Sequence, residues 1–224
     1  MKSFNGIEAV TFDVGGTLIQ PWPSVGHIYA EIAARHGVTD LSAEMLNERF
    51  KAAWRVCASF GHARADWRRL VDEVFRSPTQ ESVDPQMFAD LYERFSETDA
   101  WRVFDDVQPA LEKLASLGVR RGIISNWDER LRILLKRLRL DQHFETFTIS
   151  CEAGFVKPSP RIFEIAAHSL GLVPGAILHV GDSIELDLEP ARQAGFRALI
   201  VDRGGGTAGP DGIRSLNEIL NALT

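Results

Sequence analysis

Residues 7–18 read IEAVTFDVGGTL. The first six are largely apolar and partly β-branched, the length and texture of a short buried strand, Ile7–Phe12. Asp13 closes that strand, and a glycine pair and Thr17 follow it. Charge at this place belongs to the carboxyl edge of a sheet, where open α/β folds bind their ligands. One strand and its loop cannot form a domain alone. Its partners must come from elsewhere in the chain.

They come from beyond residue 105. VQPALEKLASLG reads as a helix ending at Gly118, followed by the strand-like VRRGIIS at 119–125. Asp128 is placed to cap a helix in ERLRILLKRLRL, and FETFTIS at 144–150 is again strand-like. In SPRIFEIAAHSLG, Ser159 is an N-cap, Pro160 the first helical position and Gly171 the stop. AILHV at 176–180, a helix around Leu188–Ala194 stopped by Gly195, RALIVD at 197–202 and a last short helix near Ile213–Leu223 complete the series. Strand and helix alternate throughout, which predicts an α/β domain with a parallel sheet and right-handed crossovers.

Between these two parts the period is helical. Apolar faces recur at Ile28, Ile32 and Ala33, at Met45, Leu46, Phe50 and Ala53, at Leu70, Val71 and Val74, and at Met87, Phe88 and Leu91. The expected organisation is a discontinuous core, residues 1–19 with 105–224, interrupted by a helical module at 20–104 that leaves from the loop after Asp13 and is a candidate lid.

Composition narrows the function. Of the 224 residues 45% are apolar, enough for a sizeable core, and the formal charge of −6 argues against a general nucleic-acid binder. No run approaches the roughly 18 apolar residues of a membrane span, and the N-terminus shows no apolar signal segment. A cytoplasmic protein is expected, with Cys57 and Cys151 as reduced thiols, since their separation fits no metal spacing. The leucines of RLRILLKRLRL recur at helical spacing, so its basic residues read as a solvated face, and RGGGTAG at 203–209 reads as a flexible turn. His27, His36, His62 and His168 share no ligand spacing; His179, inside an apolar strand, reads as a core residue. Trp54 and Trp67 read as core, while Trp22 and Trp127 are candidates to reach the crevice.

Chemistry gathers at the strand ends: Asp13 and Thr17, then Ser125 and Asn126, then Lys157 in GFVKPSPRIF, then Asp182, Ser183 and Asp187 in HVGDSIELD. Converging carboxylates repel one another and call for a hard divalent cation, best Mg²⁺. Lys157 and the Ser125 hydroxyl can hold an anion opposite it, with phosphate the obvious one. A carboxylate beside such a phosphoryl group is a competent nucleophile.

FDVGGTL, IISNW, VKPSPRIF and VGDSIELD resemble, in order and in secondary-structure context, the four motifs of the haloacid dehalogenase-like (HAD) hydrolase superfamily. ISNWDERL together with KPSPRIF and HVGDS most resembles the haloacid dehalogenase-like hydrolase domain-containing protein 3 group. The resemblance implies a Rossmann-like core with an inserted helical C1 cap. It makes Asp13 the nucleophile and a metal ligand, and the Gly15 carbonyl a second ligand. Thr17 would order the nucleophile loop and help bind phosphate. Ser125 and the Asn126 N–H would bind phosphoryl oxygens, Lys157 would offset charge, Asp182 would bind Mg²⁺, and Asp187 would orient metal waters or the loop. The implied partner is a small phosphorylated substrate, with no nucleic acid, no membrane, and a monomeric or weakly dimeric state.

One position departs from the pattern. HAD phosphatases usually carry a second Asp, two residues after the first, that protonates the leaving oxygen and later activates water; here it is Gly15. Three readings follow: a Mg²⁺-dependent phosphatase of weakened or selective activity, a pseudo-phosphatase that binds a phosphorylated ligand, and a metal-free 2-haloacid dehalogenase, a branch that usually places an aromatic where Gly15 sits.

Overall fold

The computed structural model describes residues 4–56, 60–77, 82–205 and 209–223; Cys57 and residues 206–208 of the glycine-rich turn lie outside them. The chain divides into two compact units, residues 1–19 with 103–224, and residues 20–102.

In the first unit β1 (Ala9–Phe12) is buried along its whole length. The chain passes out through β2 (Ile19–Pro21) and returns through β3 (Trp101–Val103), which pair as a two-stranded ribbon. The first unit continues with α5 (Val107–Ser116), β4 (Arg120–Ser125), α6 (Arg130–Arg137), β5 (Thr146–Ile149), α7 (Ser150–Ala153) and α8 (Pro160–Leu170). It ends with β6 (Ile177–Gly181), a π-helical turn at Ile184–Leu188, α9 (Glu189–Gln193), β7 (Arg197–Val201), β8 (Gly212–Ile213) and α10 (Ile219–Ala222). Six strands form one parallel sheet in the order β5-β4-β1-β6-β7-β8.

The register places the site. Phe12 stands beside Ile123 of β4 and Val180 of β6, so Asp13, Ser125 and Asp182 emerge together where β1, β4 and β6 end. The chain winds outward from β1 through β4 and β5, then crosses back to β6 on the other side of β1. That reversal opens a crevice at the carboxyl ends of the central strands. One core cluster of the unit brings together Ala9, Ile124, Phe163, Ala166, Leu170, Ile177 and Phe196. The Phe163 ring meets His179 edge-on at 5.2 Å and Phe196 at 5.6 Å. α8 begins and ends as its caps dictate: the Ser159 hydroxyl accepts from Arg161 N–H, Pro160 opens the helix, and Gly171 closes it at φ 64°.

The second unit holds α1 (Val25–Arg35), α2 (Ala43–Val56), α3 (Arg64–Phe75) and α4 (Pro85–Arg94) around Tyr29, Ile32, Leu46, Leu70, Val74, Met87 and Leu91. Asp84 caps α4 by accepting from Gln86 N–H at 2.8 Å.

Local details depart from the periodicity. Between 20 and 104 it predicts only helices; the strands β2 and β3 there span only three residues each, too short for an alternation to register. Residues 213–223 are not one helix: Ile213 pairs with Val201, and a capping box of Ser215 and Glu218 restarts the chain before α10. The segment before Gly195 begins earlier than expected, at Ser183, whose hydroxyl accepts from Leu186 N–H. Arg130 is not on a solvated face. It is buried against Asp128, which takes its N–H at 3.0 Å and its guanidinium at 2.5 Å. Trp54 stacks on Phe50 but remains 39% exposed, so it is only partly core. Among the described residues no helix is long and apolar enough to cross a membrane.

Candidate active site

The site is built outward from Asp13. Its N–H donates to the Val180 carbonyl at 2.9 Å, carrying the β1–β6 ladder one residue past the strand and fixing the direction of its side chain. The Lys157 ammonium donates to Asp13 Oδ1 at 2.6 Å, and the Ser125 hydroxyl donates to the same oxygen at 3.0 Å. No hydrogen bond from the described residues reaches Oδ2. Lys157 is buried in the loop ahead of α8, and its ammonium also donates to Asp187 Oδ1 at 2.5 Å. Asn126 holds that loop in place: its amide oxygen accepts from Lys157 N–H at 2.7 Å and its amide nitrogen donates to the Lys157 carbonyl at 2.9 Å.

Behind Lys157 lies a second layer. His179 Nε2 meets Asp187 Oδ1 at 3.1 Å, and a carboxylate only accepts, so Nε2 is the donor. His179 Nδ1 pairs with the Thr11 hydroxyl at 3.0 Å, and Asp187 Oδ2 accepts from Ser183 N–H at 3.1 Å. Asp187 is thus committed on both oxygens to protein donors.

The electrostatics follow from burial and pairing. Burial lifts the Asp13 carboxyl above the usual carboxylate range, with Lys157 opposing and Asp187 adding to the rise. Burial also works against the Lys157 ammonium, yet Asp13 and Asp187 outweigh it and keep its pKa above the ordinary lysine value. For Asp187, burial is overcome by Lys157 and by the bond from His179, which hold it well below the usual range. Asp182 is pushed up to about 7 by desolvation of its carboxyl and by the Asp13 and Asp187 charges. As a residue it is exposed, so its carboxyl faces solvent on one side while the other faces two anions.

Asp13, Asp182 and Asp187 each offer an oxygen within 4.8 Å of the others. All are hard donors, one lysine balances two of them, and Asp182, raised first by desolvation, is raised further by the charges of the other two. The residues therefore fit a hard divalent ion. Both Asp187 oxygens already accept from protein donors, so Asp13 and Asp182 would be the carboxylates best free to hold it. The turn after Asp13 is closed by Gly16 N–H to the Ile19 carbonyl and Ile19 N–H to the Val14 carbonyl, bonds that leave the Gly15 carbonyl unused.

Two glycines make room for these carboxylates. Gly16, at φ 79°, would place a Cβ 2.2 Å from Asp182 Oδ2, and Gly181 would place one 2.1 Å from Asp187 Cγ. Gly181→Ala is expected to push Asp187 off Lys157 and Ser183 and to lower stability by about 1–3 kcal/mol. An unchanged urea midpoint in that variant would contradict this packing.

Asp13, Ser125, Lys157, Asp182 and Asp187 of the sequence reading all meet here. Thr17 is wholly buried and its hydroxyl has no partner among the described residues, a place from which it shapes the loop from inside. The Asn126 side chain is spent on Lys157. His179, read from sequence as plain core, proves to be the hydrogen-bond partner of Asp187; its position in an apolar strand gave no sign of this, although the register pairs it with Thr11. Arg203, read as part of a turn, donates to the Thr17 carbonyl at 2.7 Å and to Asp106 Oδ2 at 2.7 Å, and lies 4.1 Å from the Phe104 ring centre. It ties the loop after Asp13 to the chain returning through β3, a contact that no local pattern announces.

A parallel sheet whose central strand ends in a lysine-paired Asp, with further carboxylates on the next strand, matches what comparison with known proteins returns. The family profile for haloacid dehalogenase-like hydrolases matches residues 7–195. The chain belongs to that family. It is 30% identical over 217 residues to the Bos taurus haloacid dehalogenase-like hydrolase domain-containing protein 3, covering 92% of this chain and 83% of that one. It is likewise 30% identical over 217 residues to the glyceraldehyde 3-phosphate phosphatase of Methanopyrus kandleri, covering 88% and 85%. The crystal structure of a HAD phosphatase from Thermococcus onnurineus superposes with a TM-score of 0.70 at 24% identity, covering 96% and 97%.

Proposed function

We propose that this chain is a Mg²⁺-dependent phosphatase of a small phosphorylated metabolite, working through an aspartyl-phosphate on Asp13, with turnover weakened or made selective by Gly15. The observation that carries this reading is the asymmetry of Asp13. Oδ1 is held by Lys157 and Ser125, which leaves Oδ2 as the attacking oxygen. Its attack on phosphorus forms the aspartyl-phosphate as the bond to the leaving oxygen breaks. Water then attacks phosphorus, releasing phosphate and restoring the carboxylate. Lys157 offsets charge on Asp13, and Ser125 with the Asn126 N–H would hold phosphoryl oxygens. A bound Mg²⁺ would neutralise the phosphoryl group and help align it. With no carboxyl at position 15, both proton transfers fall to solvent, at a cost of about 10²–10⁴-fold in rate.

A screen of phosphorylated metabolites with Mg²⁺ tests the proposal, with glyceraldehyde 3-phosphate among the first because a relative bears that name. Asp13→Asn serves as the control. Phosphate release that persists in EDTA or in that variant would sink the reading, and halide release without Mg²⁺ would favour the dehalogenase.

Metal binding has its own signature. Desolvation and the Asp13 and Asp187 charges push the Asp182 carboxyl up to about 7, so a proton competes with the cation there. Mg²⁺ affinity, read by calorimetry, is expected to weaken by about tenfold for each pH unit below that point. A flat profile from pH 5.5 to 8 would show that no carboxyl holding the cation titrates in that range.

A further inference from the structure

Gly15 and Trp127 are a matched pair. A Cβ built on Gly15 would lie 3.2 Å from Trp127 Cζ3 and 3.9 Å from Cη2. The first distance is inside the 3.5–4.0 Å at which carbons ordinarily rest (about 0.3 Å too close at best). The glycine is not demanded by the backbone, because Gly15 lies outside the left-handed region that Gly16 occupies. A side chain at position 15 would first meet the indole, which would have to give by a few tenths of an ångström.

The backbone that carries the indole is held from both sides. Trp127 N–H donates to the Ser150 hydroxyl at 3.0 Å, which returns a bond to the Trp127 carbonyl at 3.0 Å. Asn126 before it is locked onto Lys157, and Asp128 after it is buried against Arg130. The backbone at 127 has little freedom to retreat, so relief must come from the ring itself. Cζ3 and Cη2 belong to the six-membered ring, on the side away from Nε1–H. The surface facing position 15 therefore has no proton to give.

We propose that Trp127 occupies the acid–base position of this site and sets its substrate class: phosphoryl donors with an acidic leaving group, aryl or acyl phosphates, whose leaving group packs against the benzenoid face. This rests on the phosphatase reading above. Asp13 Oδ2 bonds to phosphorus as the phosphorus–oxygen bond to the leaving group breaks. The leaving oxyanion departs with that electron pair, unprotonated, and takes its proton from water. Water then displaces Asp13 from phosphorus and loses its proton to solvent.

The test is a cycle of Gly15→Asp, Trp127→Leu and the double variant, assayed with Mg²⁺ on 4-nitrophenyl phosphate and on phenyl phosphate, whose leaving phenol has a pKa of about 10. Wild type is expected to favour the nitrophenyl ester strongly. Gly15→Asp alone should gain less than about tenfold on phenyl phosphate, and the double variant about 10²-fold or more. Trp127→Leu alone should raise KM for both aryl esters. An equal gain in Gly15→Asp with and without Trp127, or a wild type indifferent to leaving group, overturns the proposal. The pairing is also read without turnover: Gly15→Ala should lower the urea midpoint in wild type and not in Trp127→Leu. If that coupling is present while no aryl or acyl phosphate is hydrolysed by any variant, the substrate class fails, and the phosphatase reading fails with it only when the metabolite screen also releases no phosphate. If hydrolysis occurs and the coupling is absent, this proposal alone fails.

Discussion

Replacing Asp13 by Asn is expected to lower phosphate release by roughly 10⁴-fold or more, the scale seen when a covalent nucleophile is removed. The substitution keeps the shape of the side chain, and Lys157 retains Asp187 as a carboxylate partner at 2.5 Å. The variant should therefore fold, with a urea midpoint near that of wild type. Loss of the attacking oxygen acts on the chemical step, so kcat should collapse while phosphate binding stays within a few-fold. Turnover kept within tenfold of wild type would remove Asp13 from the reaction.

Lys157→Met should be the most damaging substitution for stability. Lys157 is buried and is the ammonium joining Asp13 and Asp187, at 2.6 and 2.5 Å. Removing one partner of a buried ionic pair and leaving the others uncompensated typically costs about 3–5 kcal/mol. The pH dependence should also steepen, since the raised Asp13 and Asp182 carboxyls already make wild type less stable as pH rises from 5 to 8. In wild type the depressed Asp187 carboxyl contributes stability that is present above its unfolded value of 3.8 and is lost as pH falls through the lower folded value. Without the ammonium, burial dominates and both carboxyls rise. Their stability contribution is then present at low pH and lost as pH rises through the raised values. Urea midpoints measured in EDTA should fall further between pH 5 and pH 8 for Lys157→Met than for wild type. A variant that matches wild type in midpoint and pH profile would show that the ammonium balances no buried charge.

The sheet was legible because its strands are short apolar runs separated by helices with proper caps: Ser159, Pro160 and Gly171 mark α8 by chemistry alone. The site was legible where charge interrupts an apolar strand end, as at Asp13 and Asp182. His179 was not, because a histidine in an apolar strand looks the same whether its partner is a core hydroxyl or a site carboxylate; here it has both. Arg203 was hidden because its partners, Thr17 and Asp106, stand 186 and 97 positions away. The short strands β2, β3 and β8 were missed because two or three residues carry no period.

By itself the sequence determined the α/β class, the interruption of the core by a helical segment, and which carboxylates and which lysine gather at the strand ends. Local patterns suffice there, since hydrophobic period and capping chemistry act within a few residues. Only the tertiary structure decided how those charges are shared: one ammonium between two carboxylates, Asp187 committed to protein donors, and Asp182 left repelled and open to a cation. It also decided the meaning of Gly15. In sequence that glycine is a missing acid; in three dimensions it is the clearance for an indole 112 residues away, and such clearance exists only once β1 and β4 lie side by side.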